Sequence, residues 1–478
     1  MSRSNSVNSE QTNSPAGFSS DLLLALDRSE RSDPLSRQLQ RQLRRAIQQG
    51  RIAPSTLLPP TRLLAQDLGV ARSVVVDAYA QLTADGYLDT RQGSGTRVRA
   101  TAITEPTHQS RAESPSPTVH LAGGLPDAAL FPRTEWVRAY RRAMETLPKD
   151  QLGYSGARGV LHLREVLSDY LGRVRGVSSD PDRLVITSGL TQALVLLCRA
   201  LRAHGVTEIA VEDPCFGFHR EAIAKVGLRP VPIPIDVDGL DVSQLARHDV
   251  GAVLLSPAHS YPMGSVLSAS RRVALIEWAR RRDGLIVEDD YDAEFRYDRA
   301  PIGALQGLAP EHVAYAGCAS KTLAPALRLG WIALPGRLVD AVGDQKLFDD
   351  VGTTSLEQSA LAEFIDTGGF TRHLRRVRPI YRRRRDAALE SLAACLPGAE
   401  PTGVAAGLHM YVQLPQGCNE VKLADAARER GILLEGAKWH WSAPELAPPA
   451  LVLGYGALHE RAMRKALSVV GSVYRSQR

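Results

Sequence analysis

Lysine is scarce in this 478-residue chain. The seven are Lys149, Lys225, Lys321, Lys346, Lys422, Lys438 and Lys465, and arginine supplies nearly all the rest of the 58 basic residues. In such a chain a lysine set among small residues is less readily explained as solubilising charge, because arginine cannot replace an amine that must lose its proton and form an imine. Cysteine is scarce too: Cys198, Cys215, Cys318, Cys395 and Cys418 show no paired spacing, which excludes a disulfide framework and a zinc site. No run reaches the roughly 18 apolar residues of a membrane span. The N-terminus, rich in Ser, Asn and Gln, lacks the apolar segment of a signal peptide. A cytoplasmic protein without a membrane partner is expected, with reduced thiols and no structural metal.

What is present is a globular composition, 44% hydrophobic, at a length that suggests roughly two to four domains. The net charge of +6 is unevenly spread. Between Ser32 and Ala100 ten arginines (Arg37, Arg41, Arg44, Arg45, Arg51, Arg62, Arg72, Arg91, Arg97, Arg99) face five aspartates. A compact basic segment beside a nearly neutral remainder points to an acidic polymer as partner.

The tail, residues 1–31, is polar and is expected to be disordered. Asp33-Pro34 opens a helix with Leu35, Leu39, Leu43, Ala46 and Ile47 at helical spacing, ended by Gly50. After a break at Ile52 to Pro60 a short helix runs from Thr61, read as its N-cap, to Leu68. A third helix, about Arg72 to Asp85, turns Val75, Ala78, Tyr79 and Leu82 inward. Two extended runs follow around Arg91-Gln92-Gly93-Ser94-Gly95. Three helices and a basic hairpin over residues 32–100 make a winged helix-turn-helix, whose third helix enters the major groove of double-stranded DNA. The stretch LPPTRLLAQDLGVARSVVVDAYAQLTADGYLDTRQGSGTRV resembles the DNA-binding domain of the GntR family of bacterial regulators. The resemblance implies that Arg62, Arg72, Ser73, Arg91 and Gly93 contact DNA. Val74-Val75-Val76 departs from the polar residues usual there and leaves fewer base-edge hydrogen bonds.

Residues 101–118, with Pro106, Pro115 and Pro117 among Ser, Thr and Glu, read as a linker. Beyond it apolar runs alternate with helical patterns, which indicates an α/β domain over 119–478 with a largely parallel sheet and ligands at the carboxyl ends of its strands. A large part spans about 119–383, and a small α/β part about 384–478. Leu184 to Thr187 runs through Ser188-Gly189-Leu190 into a helix, a phosphate-type anion site. Phe216 follows another strand, where a ring could stack on a flat ligand or simply pack in the core. The strand Leu285-Ile286-Val287 ends in Glu288-Asp289-Asp290-Tyr291-Asp292. Such acids need a positive partner if buried, and a pyridinium nitrogen or a metal ion would serve. Lys321 stands after the run Val313 to Ala316, beside Ser320 and seven residues ahead of Arg328.

Taken in order, TSGLTQAL, VEDPCF, SPAHSYPMG, VEDDYDAEF and ASKTLAPALRLGW resemble the fold type I aminotransferases, and more closely the MocR-type regulators that join a GntR-like domain to an aminotransferase-like one. The resemblance implies that pyridoxal 5′-phosphate forms an imine with Lys321, the catalytic lysine of the family. It further implies that Asp289 binds the pyridine nitrogen, Tyr291 the phenolic oxygen, and Arg328 with Ser188, Gly189 and Leu190 the phosphate. Ser320 would lie near that phosphate and Phe216 would stack on the ring. A homodimer is implied, with Tyr154 reaching the partner's phosphate. Phe216 stands where relatives carry tyrosine, and Val452 where aminotransferases place the arginine that grips a substrate carboxylate. A regulator that responds to pyridoxal phosphate, an amine or an amino acid is therefore expected. The rival is an active aminotransferase with an appended DNA-binding domain.

Overall fold

The computed structural model describes residues 24–29, 33–91, 95–99, 119–178, 180–298 and 302–477. Gly93, the linker 101–118 and most of the tail lie outside the described residues. The chain divides into two compact units, residues 1–114 and 115–478.

In the first unit, helices α1 (Leu35–Gln48), α2 (Thr61–Leu68) and α3 (Arg72–Ala84) close around Leu39, Leu43, Val75 and Leu82, which are out of solvent. Truncating any of the three leucines to alanine would cost about 2–5 kcal/mol. The hairpin β2 (Leu88–Arg91) and β3 (Gly95–Val98) forms the wing. It gains a strand that periodicity could not show: β1 (Leu57–Leu58), two residues inside the expected break, pairs antiparallel with β3. Two further expectations change. Residues 24–29, assigned to the disordered tail, are docked: Leu24 and Leu26 pack on the helical core, and Gln38 exchanges two hydrogen bonds of 2.8 Å with the Asp27 backbone. The N-cap of α2 is Pro60, not Thr61. Proline supplies the backbone angle and has no N–H to satisfy, which leaves the Thr61 hydroxyl to accept from Arg72 Nε at 3.3 Å.

The second unit opens with β4 (Val119–His120), then α4 (Arg133–Thr146) and α5 (Leu161–Arg175). Its main sheet takes β5 (Leu184–Thr187), β6 (Glu208–Asp213), β7 (Arg229–Asp236), β8 (Gly239–Leu240), β9 (Ala252–Leu255), β10 (Leu285–Asp290), β11 (Val313–Cys318) and β12 (Gly330–Ala333) in the order β5-β12-β11-β10-β9-β6-β7-β8. The five strands from β11 to β7 run parallel, while β12 and β8 run against their neighbours. Strands β5 and β9 to β12 are buried at every position, as a sheet covered on both faces requires. Helices α6 (Leu190–Ala203), α7 (Gly217–Val226) and α8 (Ala269–Arg282) connect them.

Three helices follow: α9 (Gly336–Asp350), α10 (Ser355–Asp366) and the 27-residue α11 (Gly369–Cys395). The division placed near residue 384 falls inside α11, so continuous helix joins the large and small parts. The small part holds the antiparallel sheet β13-β14-β16, formed by Glu400–Thr402, His409–Gln413 and Ala450–Gly454. Strand β4, from the start of the unit, pairs with β15 (Ile432–Leu433) and buries Leu121 in the small part's core. That pairing carries the next residues, Gly123 and Gly124, to the mouth of the main sheet.

Candidate functional site

The acids that end β10 are the costliest feature of the unit, and the fold provides for most of them. Glu288 accepts from the Leu305 and Gln306 amides, each at 3.0 Å. Asp290 is held through its Oδ2 by Arg175 Nε at 2.7 Å and by the Tyr315 hydroxyl at 2.5 Å, all three groups buried, while its Oδ1 is buried without a partner. Asp292 lies 3.0 Å from His259 Nδ1. Asp289 is different. Ser256 Oγ donates to its Oδ2 at 3.3 Å, its Oδ1 is buried without a partner, and the nearest basic group, His219, is 4.0 Å away. Burial, followed by the charges of Asp290 and Asp292, drives its carboxyl well above the usual range. Only if ionised would it need a cation beside it, and the neighbouring His219 is itself held neutral by burial.

Asp289 lines a cavity of about 290 Å³ at the carboxyl ends of the parallel strands, together with Leu190, Phe216, Tyr291, Ser320, Lys321 and Arg328. Seven of the ten cofactor residues nominated from sequence thus meet in one place. Lys321 reaches in from the turn after β11 so closely that a Cβ on Gly124, whose φ is +75°, would sit 3.2 Å from Nζ. Arg328 holds the left-handed conformation, φ 50°, and its Nη2 donates to the Ser188 carbonyl. A Cβ on Gly189, φ +93°, would meet that guanidinium at 2.9 Å, so both the turn and the contact require glycine. Ser188 and Gly189 therefore set Arg328 at the N-terminus of α6, whose first amides have no intrahelical partners. Tyr154 stands apart. It is 90% exposed and does not line the pocket of its own chain.

Tyr291 is oriented by its neighbours. Asp292 can only accept, so His259 Nδ1 carries the hydrogen between them. The Tyr291 oxygen lies 3.1 Å from that same nitrogen and keeps its own hydrogen for the cavity. His259, Asp292 and His409 put one ligand atom each within 4.8 Å of one another, a spacing a metal could use. The hydrogen shared by His259 and Asp292 already fills the space between two of the three.

Several pocket residues carried no signal in the sequence. His219 packs edge-on to Phe216, with ring centroids 5.1 Å apart, and burial followed by the charge of Lys321 lowers its pKa to about 4. Gly123 and Glu435 also line the cavity, beside Tyr261 of the SPAHSYPMG run. Glu435 Oε2 accepts from the Gly123 amide at 2.8 Å, a contact across 312 residues that only the β4–β15 pairing creates. Val452 lies buried in β16, under Tyr261.

The residues present fit a flat phosphorylated pyridine aldehyde. The amine, a carboxyl with an unpartnered oxygen, an aromatic ring and an arginine at a helix N-terminus face one cavity. Residues 119–444 match the family Aminotransferase class I and II, and residues 35–98 match Bacterial regulatory proteins, gntR family. The chain is 32% identical to the HTH-type pyridoxine biosynthesis transcriptional regulator PdxR of Corynebacterium glutamicum, over 94% of this chain and 98% of that protein. This chain belongs to the MocR-type regulators of the GntR family. It is likewise 31% identical to the probable rhizopine catabolism regulatory protein MocR of Rhizobium meliloti, over 95% of this chain and 96% of that one. Among solved structures, the kynurenine aminotransferase of Pyrococcus horikoshii superposes with a TM-score of 0.70 at 26% identity, covering 76% of this chain and 92% of that one. The MocR-type architecture therefore accounts for both units, a helix-turn-helix and a fold type I aminotransferase domain. No helix among the described residues is long and apolar enough to cross a membrane.

Proposed function

We propose that this chain is a cytoplasmic transcriptional regulator that holds pyridoxal 5′-phosphate through Lys321 and changes its grip on DNA when a small ligand, the cofactor itself or an amine, enters the same pocket. The observation that carries the reading is Asp289, a buried carboxylate with an unpartnered oxygen in the cavity that Lys321 enters. When bound, the cofactor supplies an electrophilic carbon that amines can attack. Asp289 would hold a proton on the ring nitrogen, and Tyr291 would donate to the ring oxygen. Phe216 would cover the ring face. Arg328, the α6 N-terminus and Ser320 would meet the phosphate. A likeness to a regulator named for pyridoxine biosynthesis supports the same cofactor as ligand.

In the first unit Arg62, Arg72, Ser73 and Arg91 are exposed. They are assigned to DNA, with Gly93 at the wing. Arg72 and Ser73 open α3, where a recognition helix presents its N-terminal residues to base edges. A homodimer would give Tyr154 a role at the partner's pocket and would set two wings on paired half-sites. The test is operator binding followed by fluorescence anisotropy with and without the cofactor. A shift in affinity that Lys321→Ala abolishes supports the reading. Sustained conversion of amino acids to oxo acids, with no effect of the cofactor on DNA affinity, would favour an aminotransferase carrying a DNA-binding domain.

A further inference from the structure

Resting on the proposed cofactor site, we infer that the far end of the pocket is a cation subsite built on Glu435, and that the ligand it admits is a small diamine or an amine of like polarity without a carboxylate. The position is fixed by Gly123. A Cβ there would fall 2.8 Å from Val452 Cγ1, 2.8 Å from the Tyr261 hydroxyl and 3.3 Å from Glu435 Oε2. A Cβ on the next residue, Gly124, would touch Lys321 Nζ. Adjacent Cα atoms are about 3.8 Å apart, so Lys321 and Glu435 face the same small space from neighbouring residues. Val452 offers no charge there, and Glu435 offers a negative one.

The charge on Glu435 is not cancelled by the protein. Its Oε2 takes the Gly123 amide, and its Oε1 takes His440 Nε2 at 3.0 Å and the Tyr261 hydroxyl at 3.4 Å. His440 Nδ1 accepts from the Gly217 amide at 3.4 Å, so its hydrogen resides on Nε2 and the ring is neutral. Every donor on Glu435 is thus neutral. With Lys321 and Arg328 committed to the cofactor, the remaining charge of the cavity lining near the entering ligand is an acceptor-only carboxylate. A ligand carboxylate placed beside it would meet like charge and would have no basic group to pair with. An ammonium or a guanidinium would find a charge-assisted partner already held in place by three hydrogen bonds.

The experiment is isothermal calorimetry of the full-length, cofactor-loaded protein with three four-carbon probes: 1,4-diaminobutane, butylamine and 4-aminobutanoate. Loading is read first, as an absorbance band that Lys321→Ala lacks. The diamine is expected to bind about tenfold or more tighter than butylamine, the range of a hydrogen bond to a charged group, with 4-aminobutanoate weakest. Glu435→Gln, which keeps an acceptor for the Gly123 amide, should bring the diamine down to butylamine. If 4-aminobutanoate equals or exceeds the diamine on the unmodified protein, the inference is overturned. It is overturned as well if Glu435→Gln leaves the diamine preference unchanged. A protein that does not load would overturn the proposed function instead. On that unloaded chain Lys321 and Arg328 keep their own charges in the cavity, so only the preference for the diamine over butylamine and its loss in Glu435→Gln are read there.

Discussion

In the N-terminal unit none of the described arginines is buried, whereas the C-terminal unit takes Arg164, Arg175, Arg272, Arg296 and Arg384 out of solvent. The buried ones are engaged by the protein. Arg175 meets Asp290 at 2.7 Å, Arg384 meets Asp127 at 2.7 Å, Arg164 meets Asp182 at 3.0 Å, Arg296 meets Asp298 at 2.6 Å, and Arg272 donates to the Gly303 carbonyl at 2.9 Å. Of the exposed arginines assigned to DNA, Arg72 rests on a threonine hydroxyl, and Arg91 has only a loose contact with the half-exposed Asp89 at 3.5 Å. One residue type thus serves two ends. Buried, it is engaged by carboxylates and carbonyls of the protein itself, Asp290 at the end of β10 among them. Exposed, it remains available to a polyanion.

The contrast can be broken at its strongest point first. Arg175→Met should destabilise the C-terminal unit by about 3–5 kcal/mol, because it strands Asp290 behind the pocket. Chemical denaturation followed by tryptophan fluorescence measures this, and an unchanged midpoint would remove the argument that Arg175 secures the acidic strand. Next, Arg72→Ala should weaken operator binding by about 1–3 kcal/mol while leaving stability and the cofactor absorbance untouched. Loss of the absorbance band in that variant would contradict the division of labour between the units. A smaller effect sharpens the same contrast: Arg91→Ala should reduce the salt dependence of DNA affinity by about one unit of slope. Cofactor affinity in the enclosed pocket should respond far less to salt.

The remaining effect is a pH dependence. His219 is held neutral by burial, with a pKa lowered from 6.5 to about 4. The unfolded chain therefore takes up a proton that the folded chain refuses. His219 should therefore contribute a loss of stability as pH falls from about 6.5 toward 4, opposite in sign to the raised carboxyl of Asp289, and the difference between the protein and His219→Asn should isolate that loss. Thermal unfolding across this range provides the check.

What the sequence revealed follows the same physical lines. The basic segment was visible because exposed charge leaves a compositional surplus. The helices of the first unit were visible because Leu39, Leu43, Val75 and Leu82 recur at helical spacing. One end of the pocket was legible because Asp289, Lys321 and Arg328, which line it, lie in short runs at strand ends, where the order of motifs carries the meaning. The far end was hidden. Glu435 and Gly123 meet only through a two-residue parallel pairing between the start and the end of the unit, and Glu435 sits in a segment with no distinctive spacing. The docking of Leu24 and Leu26 was hidden for a related reason, since two leucines in a polar tail carry no period. Pro60 displaced Thr61 as the cap because proline satisfies a helix start through its backbone alone.

The proposed role of Lys321 is to hold pyridoxal 5′-phosphate in the pocket that Asp289 lines. Mixing the protein with the cofactor, reducing with borohydride and mapping the peptides tests it most directly. One pyridoxyl group is expected, on Lys321, and none on the other six lysines. Labelling of a different lysine, or no label on a protein that remains folded, would contradict it.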